Sequence, residues 1–154
     1  MSKRYGCSCG FIIAVEGKDS VKWLLCHPTN TGNRWDLPKG SSEENENHFD
    51  AAKRELLEET GLVFDDLNLI QLIDLGEHSY TNKKDLHLFY IEVDKLDVNN
   101  MHCISFVENK KGDDFPEMDA WHLFDISKVS SKIGKNLDIW FKCNIPFQLM
   151  KGYK

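Results

Sequence analysis

No apolar run in this chain of 154 residues approaches the ~20 residues that a membrane-spanning helix requires, so no membrane partner is expected. The start, MSKRYGCSCGFIIAVEG, has two early positive charges and a short apolar run. No small-residue cleavage site follows and Glu16 interrupts the run, so a first strand is expected there rather than a signal peptide. A Lys/Arg cluster is also missing, and the net charge is −6, which argues against a large nonspecific nucleic-acid surface. The five cysteines, Cys7, Cys9, Cys26, Cys103 and Cys143, are odd in number and lack paired metal-ligand spacing. They fit a reducing cytoplasm, with Cys7 and Cys9 on one face of a strand as small packing residues. With no internal repeat, linker or low-complexity segment, residues 1 to 154 read as a single domain long enough to bury a core unaided.

What charge there is has been concentrated. Residues 40 to 61 hold seven acids (Glu43, Glu44, Glu46, Asp50, Glu55, Glu58, Glu59) and two bases (Lys53, Arg54), a local net charge of −5 out of −6. The second half of this stretch predicts a helix, because Phe49, Ala52 and Leu56 recur at one-turn spacing and Gly61 stands where a C-cap belongs. At ~100° per residue, Glu55, Glu58 and Glu59 fall within an arc of roughly 100°. Like charges at such spacing destabilise a helix by ~0.2–0.5 kcal/mol per pair, so a compensating hard cation, Mg²⁺ or Mn²⁺, is the chemistry this face suits.

Around this helix the chain alternates as strands do. Residues 5 to 15 and 20 to 27 predict a hairpin, and further strands are expected at 67 to 75, 84 to 93, 101 to 108 and 119 to 124. In the strand at 84 to 93, Leu86, Leu88 and Tyr90 alternate with His87, Phe89 and Ile91. A C-terminal helix capped at Asp125 or Ser127 and broken near Gly134 would pack through Leu137, Trp140 and Phe141, with an irregular tail from Pro146. This order is α+β rather than a regular βαβ alternation.

Gly40, five residues, Glu46, seven residues, then Arg54-Glu55-Leu56-Leu57-Glu58-Glu59-Thr60-Gly61-Leu62 resembles a complete Nudix box. The resemblance implies a mixed β-sheet sandwiched between α-helices and a hydrolase that uses a divalent metal to cleave a pyrophosphate linkage in a nucleotide. It further implies that Glu58 and Glu59 are the principal metal ligands, that Glu55 stands beside them, and that a backbone carbonyl near Lys39 or Gly40 completes the set. Arg54 would orient these carboxylates by pairing with Glu46 or a helix acid. The general base is left open between Glu58, Glu59 and Glu117; the last belongs to Pro-Glu-x-Asp-x-Trp, which resembles the segment where RNA pyrophosphohydrolases and dinucleoside tetraphosphate hydrolases carry a late metal-binding Glu.

Trp35-Asp36-Leu37-Pro38-Lys39-Gly40 resembles the W-x-x-P-K-G lead-in of dinucleoside polyphosphate hydrolases, and the Leu-Pro-Gly-Gly frequent in ADP-ribose pyrophosphatases is absent. Lys39 then offers a point charge to a phosphate chain, Tyr80 an aromatic ring to a nucleobase, and Lys83 and Lys84 further positive charge. The implied partner is a small-molecule nucleotide such as diadenosine tetraphosphate, with the 5′ end of RNA as the nearest alternative. ADP-ribose and diphosphoinositol phosphates follow, and a non-catalytic nucleotide-binding module is the alternative of a different class. Five of the six histidines, His48, His78, His87, His102 and His122, show no metal spacing and are read as structural or surface residues. Oligomeric state is not written in the sequence.

Overall fold

A computed structural model of the protein describes residues 6–108 and 111–154; Tyr5, the first residue of the first expected strand, lies outside them. The strands are β1 (Cys7–Glu16), β2 (Val21–Pro28), β3 (Lys39–Ser41), β4 (Leu69–Ser79), β5 (Asp85–Val93), β6 (Phe106–Val107), β7 (Phe115–Pro116) and β8 (Met118–Asp125). The helices are α1 (His48–Thr60), α2 (Ile126–Val129) and α3 (Lys135–Asn144). The main sheet has the order β4-β5-β1-β2-β8, with β3 also paired to β1. It is mixed, since β1 runs parallel to β5 and antiparallel to β2 and β3.

β1 is central, and its apolar run is buried on both faces, as a covered strand requires. Phe11 and Ile13 pack toward Ala51, Ala52 and Leu56 of α1, together with Phe89 and Ile91 of β5. Ile12 and Ala14 pack the other way, with Leu88, Tyr90, Leu137, Trp140 and Phe141. The sheet is thus sandwiched between α1 and the C-terminal helices, and the alternation expected in β5 sorts its residues between the two layers.

The expected hairpin forms, with Ala14, Val15 and Glu16 opposite Trp23, Lys22 and Val21. Beyond it β1 and β2 part, and the chain after β2 fills the gap. Cys26 exchanges both backbone hydrogen bonds with Asp36, at 2.7 and 2.8 Å, and β3 then pairs with Ser8, Cys9 and Gly10. This wedge delivers Lys39 and Gly40 to the middle of the sheet, beside α1.

α1 starts at Asn47, whose side-chain oxygen accepts from the Asp50 amide at 2.8 Å, and ends at Gly61 with φ 77°. A residue with a Cβ would strain there and also collide with the His102 ring, 2.5 Å away.

The strand expected at 101 to 108 is corrected by the structure: only Phe106–Val107 is strand, in a separate pair with Phe115–Pro116. Residues before it cross the end of α1, where the amides of Ile104 and Ser105 donate to the Glu58 carbonyl and that of His102 to the Thr60 carbonyl. The last carbonyls of a helix have no partner within it, and this segment supplies one. The tail is likewise more ordered than expected, with a short 3₁₀ turn at Phe147–Leu149.

Candidate active site

α1 places Glu55, Glu58 and Glu59 on adjacent faces, and their surroundings differ. Glu55 and Glu59 are buried, Glu59 completely, whereas Glu58 is half-exposed. Arg54 gathers the acids around its guanidinium. It binds Glu46 through both arms, Nε at 2.9 Å and Nη2 at 3.0 Å, and reaches Glu55 at 3.0 Å and both oxygens of Glu58 at 3.3 Å. Its Nη2 also donates to the Ser41 carbonyl at 2.9 Å, tying the helix to β3. The hydrogen bond from Arg54 is the main reason the Glu46 carboxyl stays below its ordinary range.

Glu59 has no such relief. Its Oε1 accepts the Lys39 amide at 3.3 Å, and its Oε2 is buried without any hydrogen-bond partner. Among the described residues no cation pairs with it. Burial first, then the carboxylates of Glu117 and Glu55, push its pKa up to about 11. Glu55 is also raised, chiefly by burial, against the pull of Arg54. Two buried acids whose ionisation burial opposes, one of them with an orphaned oxygen and no cation of its own, are a donor set that a hard divalent cation fits.

Gly40 shows how tightly the set is built. A Cβ there would lie 2.3 Å from Glu55 Cδ and 2.4 Å from both carboxylate oxygens, so the carboxylate occupies the space that any side chain would take. Glu117, between β7 and β8, is fixed by its backbone to Ser105 and Thr29, and its Oε2 accepts from the Ser105 hydroxyl at 2.8 Å. The structure therefore brings Glu117 close enough to act on Glu59 although 58 residues separate them.

Sequence reasoning gave no role to Trp121, whose indole Nε1 donates to the Glu59 carbonyl at 2.8 Å and anchors the helix end. Its place in Pro-Glu-x-Asp-x-Trp was the available signal. Asp36 was also passed over; its carboxylate lies 3.1 Å from the Lys39 ammonium.

Lys39 connects two sites. Its amide touches Glu59, while its ammonium stands 5.3 Å from the Tyr80 ring centroid. Burial would lower the Lys39 pKa, but Asp36, Tyr80 and Glu59 hold it above its ordinary value, so the charge is retained. Beside this pair lies a cavity of about 330 Å³ lined by Arg34, Trp35, Asp36, Tyr80, Lys135 and Leu137. Lys83 is exposed in the turn before β5, and it is the next residue, Lys84, whose ammonium donates to the Ser41 hydroxyl.

Comparison with known proteins places this geometry in a family. A NUDIX domain model matches residues 9–140. A phage T4 protein described as an uncharacterized 17.7 kDa protein in the e-segB intergenic region is 40% identical over 136 residues, covering 84% of this chain and 89% of its own. An RNA pyrophosphohydrolase of Bartonella henselae is 56% identical over 51 residues, 30% of each chain. Among solved structures, the Caenorhabditis elegans Ap4A hydrolase binary complex superposes with a TM-score of 0.64 at 14% identity, covering 90% of this chain and 93% of that one, and so shares the fold. The intact acidic helix, its Arg54 fork and these matches agree: the chain belongs to the Nudix family and is a pyrophosphohydrolase.

Proposed function

We propose that this protein is a Mg²⁺-dependent hydrolase of dinucleoside polyphosphates, of which diadenosine tetraphosphate is the type, acting in the cytoplasm as one catalytic unit over residues 1 to 154. Lys39 carries the reading, because one residue bridges the buried carboxylates and an aromatic, positively flanked cavity. A pocket of that size suits one nucleoside rather than a whole dinucleotide. The phosphate chain would then run from Tyr80 past Lys39 toward α1.

Glu55, Glu58 and Glu59, with a carbonyl near Gly40, would hold the cation; Mn²⁺ would serve as well. When bound, it neutralises phosphate charge and lowers the pKa of a coordinated water. Arg54 keeps Glu55 and Glu58 oriented, at the cost of competing for their oxygens. Lys39 supplies positive charge to the phosphate chain, and Tyr80 stacks on the base. Lys83, exposed beside Tyr80, meets the distal part of the chain from solvent. In hydrolysis a water oxygen bonds to phosphorus, the bridging P–O bond breaks, and the water proton passes to a carboxylate, with Glu58, Glu59 and Glu117 as the candidates. All five cysteines are free thiols, which suits a reducing compartment.

RNA 5′-end processing is the second reading, favoured by the segment shared with the Bartonella enzyme and by Glu117 acting on Glu59. Incubation with Mg²⁺ and diadenosine polyphosphates, ADP-ribose, NADH and a 5′-triphosphate RNA, with products resolved by chromatography, separates the readings. Fast release of ATP or ADP from a dinucleotide supports the first, and a rate preference for RNA replaces it with the second. Tight nucleotide binding without turnover under any divalent metal would instead reveal a binding module. Glu58→Gln should cut turnover by orders of magnitude with the fold intact, and near-normal activity would sink the assignment.

A further inference from the structure

The histidines that look scattered in sequence are not all scattered in space. On the α1 side of the sheet, His48 opens the helix, His87 projects from β5, and Asp74 and Glu77 come from β4. His48 Nδ1 and His87 Nδ1 are 2.8 Å apart, and Glu77 Oε1 is 3.7 Å from His48 Nδ1. One donor atom from each of His48, Glu77 and His87 lies within 4.8 Å of the others.

The protons can be placed. Asp74 Oδ1 is 2.5 Å from His87 Nε2, and a carboxylate accepts, so His87 carries its proton on Nε2. In the neutral ring this leaves the Nδ1 lone pair facing His48 Nδ1. A single proton between the two rings satisfies this pair in the absence of anything else, and replacing it by a cation would turn both lone pairs onto one centre. Metal–nitrogen bonds of about 2.0–2.1 Å put tetrahedral ligand atoms roughly 3.3 Å apart, within the spread of these contacts. A carboxylate on the far nitrogen of a ligating histidine is also the usual device for fixing its tautomer and raising its basicity.

We propose that His48, Glu77 and His87 form a transition-metal site, for Zn²⁺ or a similar imidazole-binding ion, separate from the carboxylates of α1 and oriented by Asp74. Imidazole nitrogen favours such ions over Mg²⁺, so the two sites differ in metal. The donors remain partly accessible, with side-chain exposures of 29% for His48, 14% for His87 and 42% for Glu77, so an ion can enter and a water can fill the fourth position. Cys7 and Cys9 also approach His48. Their buried thiols donate to backbone carbonyls, Cys7 to Ser8 at 3.4 Å and Cys9 to Cys7 at 3.9 Å, so the set open to an entering ion is the one with Glu77 and His87. The bound ion would fasten the first turn of α1 to β4 and β5. In the sheet Cys9 is opposite His87 on one side and Gly40 on the other, so this clasp lies across β1 from Gly40, at the other end of α1 from Glu58 and Glu59, and shares no ligand with them.

The test uses the full chain in excess Mg²⁺, titrated with Co²⁺ and then Zn²⁺. One equivalent of Co²⁺ should bind with the intense ligand-field bands of a four-coordinate centre and be displaced by Zn²⁺. His48→Gln and His87→Gln should abolish that spectrum, and Asp74→Asn should weaken binding by about 10–100-fold. Mg²⁺-dependent turnover and far-ultraviolet circular dichroism should persist in all three. Should a histidine variant fail to fold, Glu77→Gln, at an exposed strand position, tests the same set. Co²⁺ that Mg²⁺ competes away, titrations unchanged in the variants, or a thiolate charge-transfer band would each overturn this site.

Discussion

Glu59→Gln removes an acid whose ionised form the fold does not compensate, so the metal-free protein should become more stable as it loses activity. The Glu59 carboxyl has a folded pKa of about 11 against an unfolded value near 4.3. A raised folded pKa stabilises the native state fully below the unfolded value, and that contribution drains away as pH climbs toward the folded one. Each unit in that window takes about 1.4 kcal/mol, so by pH 7 the wild type has lost up to about 3–4 kcal/mol that glutamine never loses. The amide keeps the shape and leaves Oε1 to accept the Lys39 amide. For a chain of this size 1 kcal/mol is worth about 2–4 °C, which predicts a midpoint up to roughly 6–16 °C higher for the variant at pH 7. At pH 4.5 the difference should nearly vanish. Calorimetric melts in chelator at both pH values measure it, and Mg²⁺ should then raise the wild type more than the variant. A variant less stable at pH 7, or a gap that does not change with pH, would refute the argument that Glu59 is uncompensated.

Gly40→Ala drives a methyl into the Glu55 carboxylate at 2.3 Å, and steady-state assays should show at least a tenfold loss of turnover, since a misplacement of about 1 Å can cost 10²-fold. Arg54→Lys cannot reproduce the two-armed grip on Glu46 or the bond to the Ser41 carbonyl, so the urea midpoint should fall by the equivalent of about 1–3 kcal/mol, with turnover reduced alongside. Turnover at the wild-type level would show the guanidinium to be idle. Tyr80→Ala should raise KM for a dinucleotide by tenfold or more with kcat less affected, as loss of base stacking costs about 1–3 kcal/mol. An unchanged KM would move the nucleobase elsewhere.

Local features were legible because local physics sets them. The periodicity of Phe49, Ala52 and Leu56 and the glycine at 61 define α1 without reference to any neighbour, whereas the polar run from Ser41 to Asn47 offers several caps and the structure selects Asn47. Alternation in β5 sorted its side chains correctly between the two layers. The segment 101 to 105 misled for the same reason: an extended apolar stretch reads alike whether its amides face a strand or a helix end. Here the unpaired carbonyls of Glu58 and Thr60 took them.

By itself the sequence determined the acidic helix, the spacing of Glu55, Glu58 and Glu59, and the family these belong to, since all are set by residues within one short stretch. Only the tertiary structure decided which of those acids is neutralised. Arg54 reaches Glu55 and Glu58 but not Glu59, the residue met by Lys39, Trp121 and Glu117, which arrive from β3, β8 and the turn before it. The meeting of His48 with His87 was likewise undecidable beforehand. Burial and cross-strand distance depend on which strands lie side by side, and that is settled by packing the whole chain.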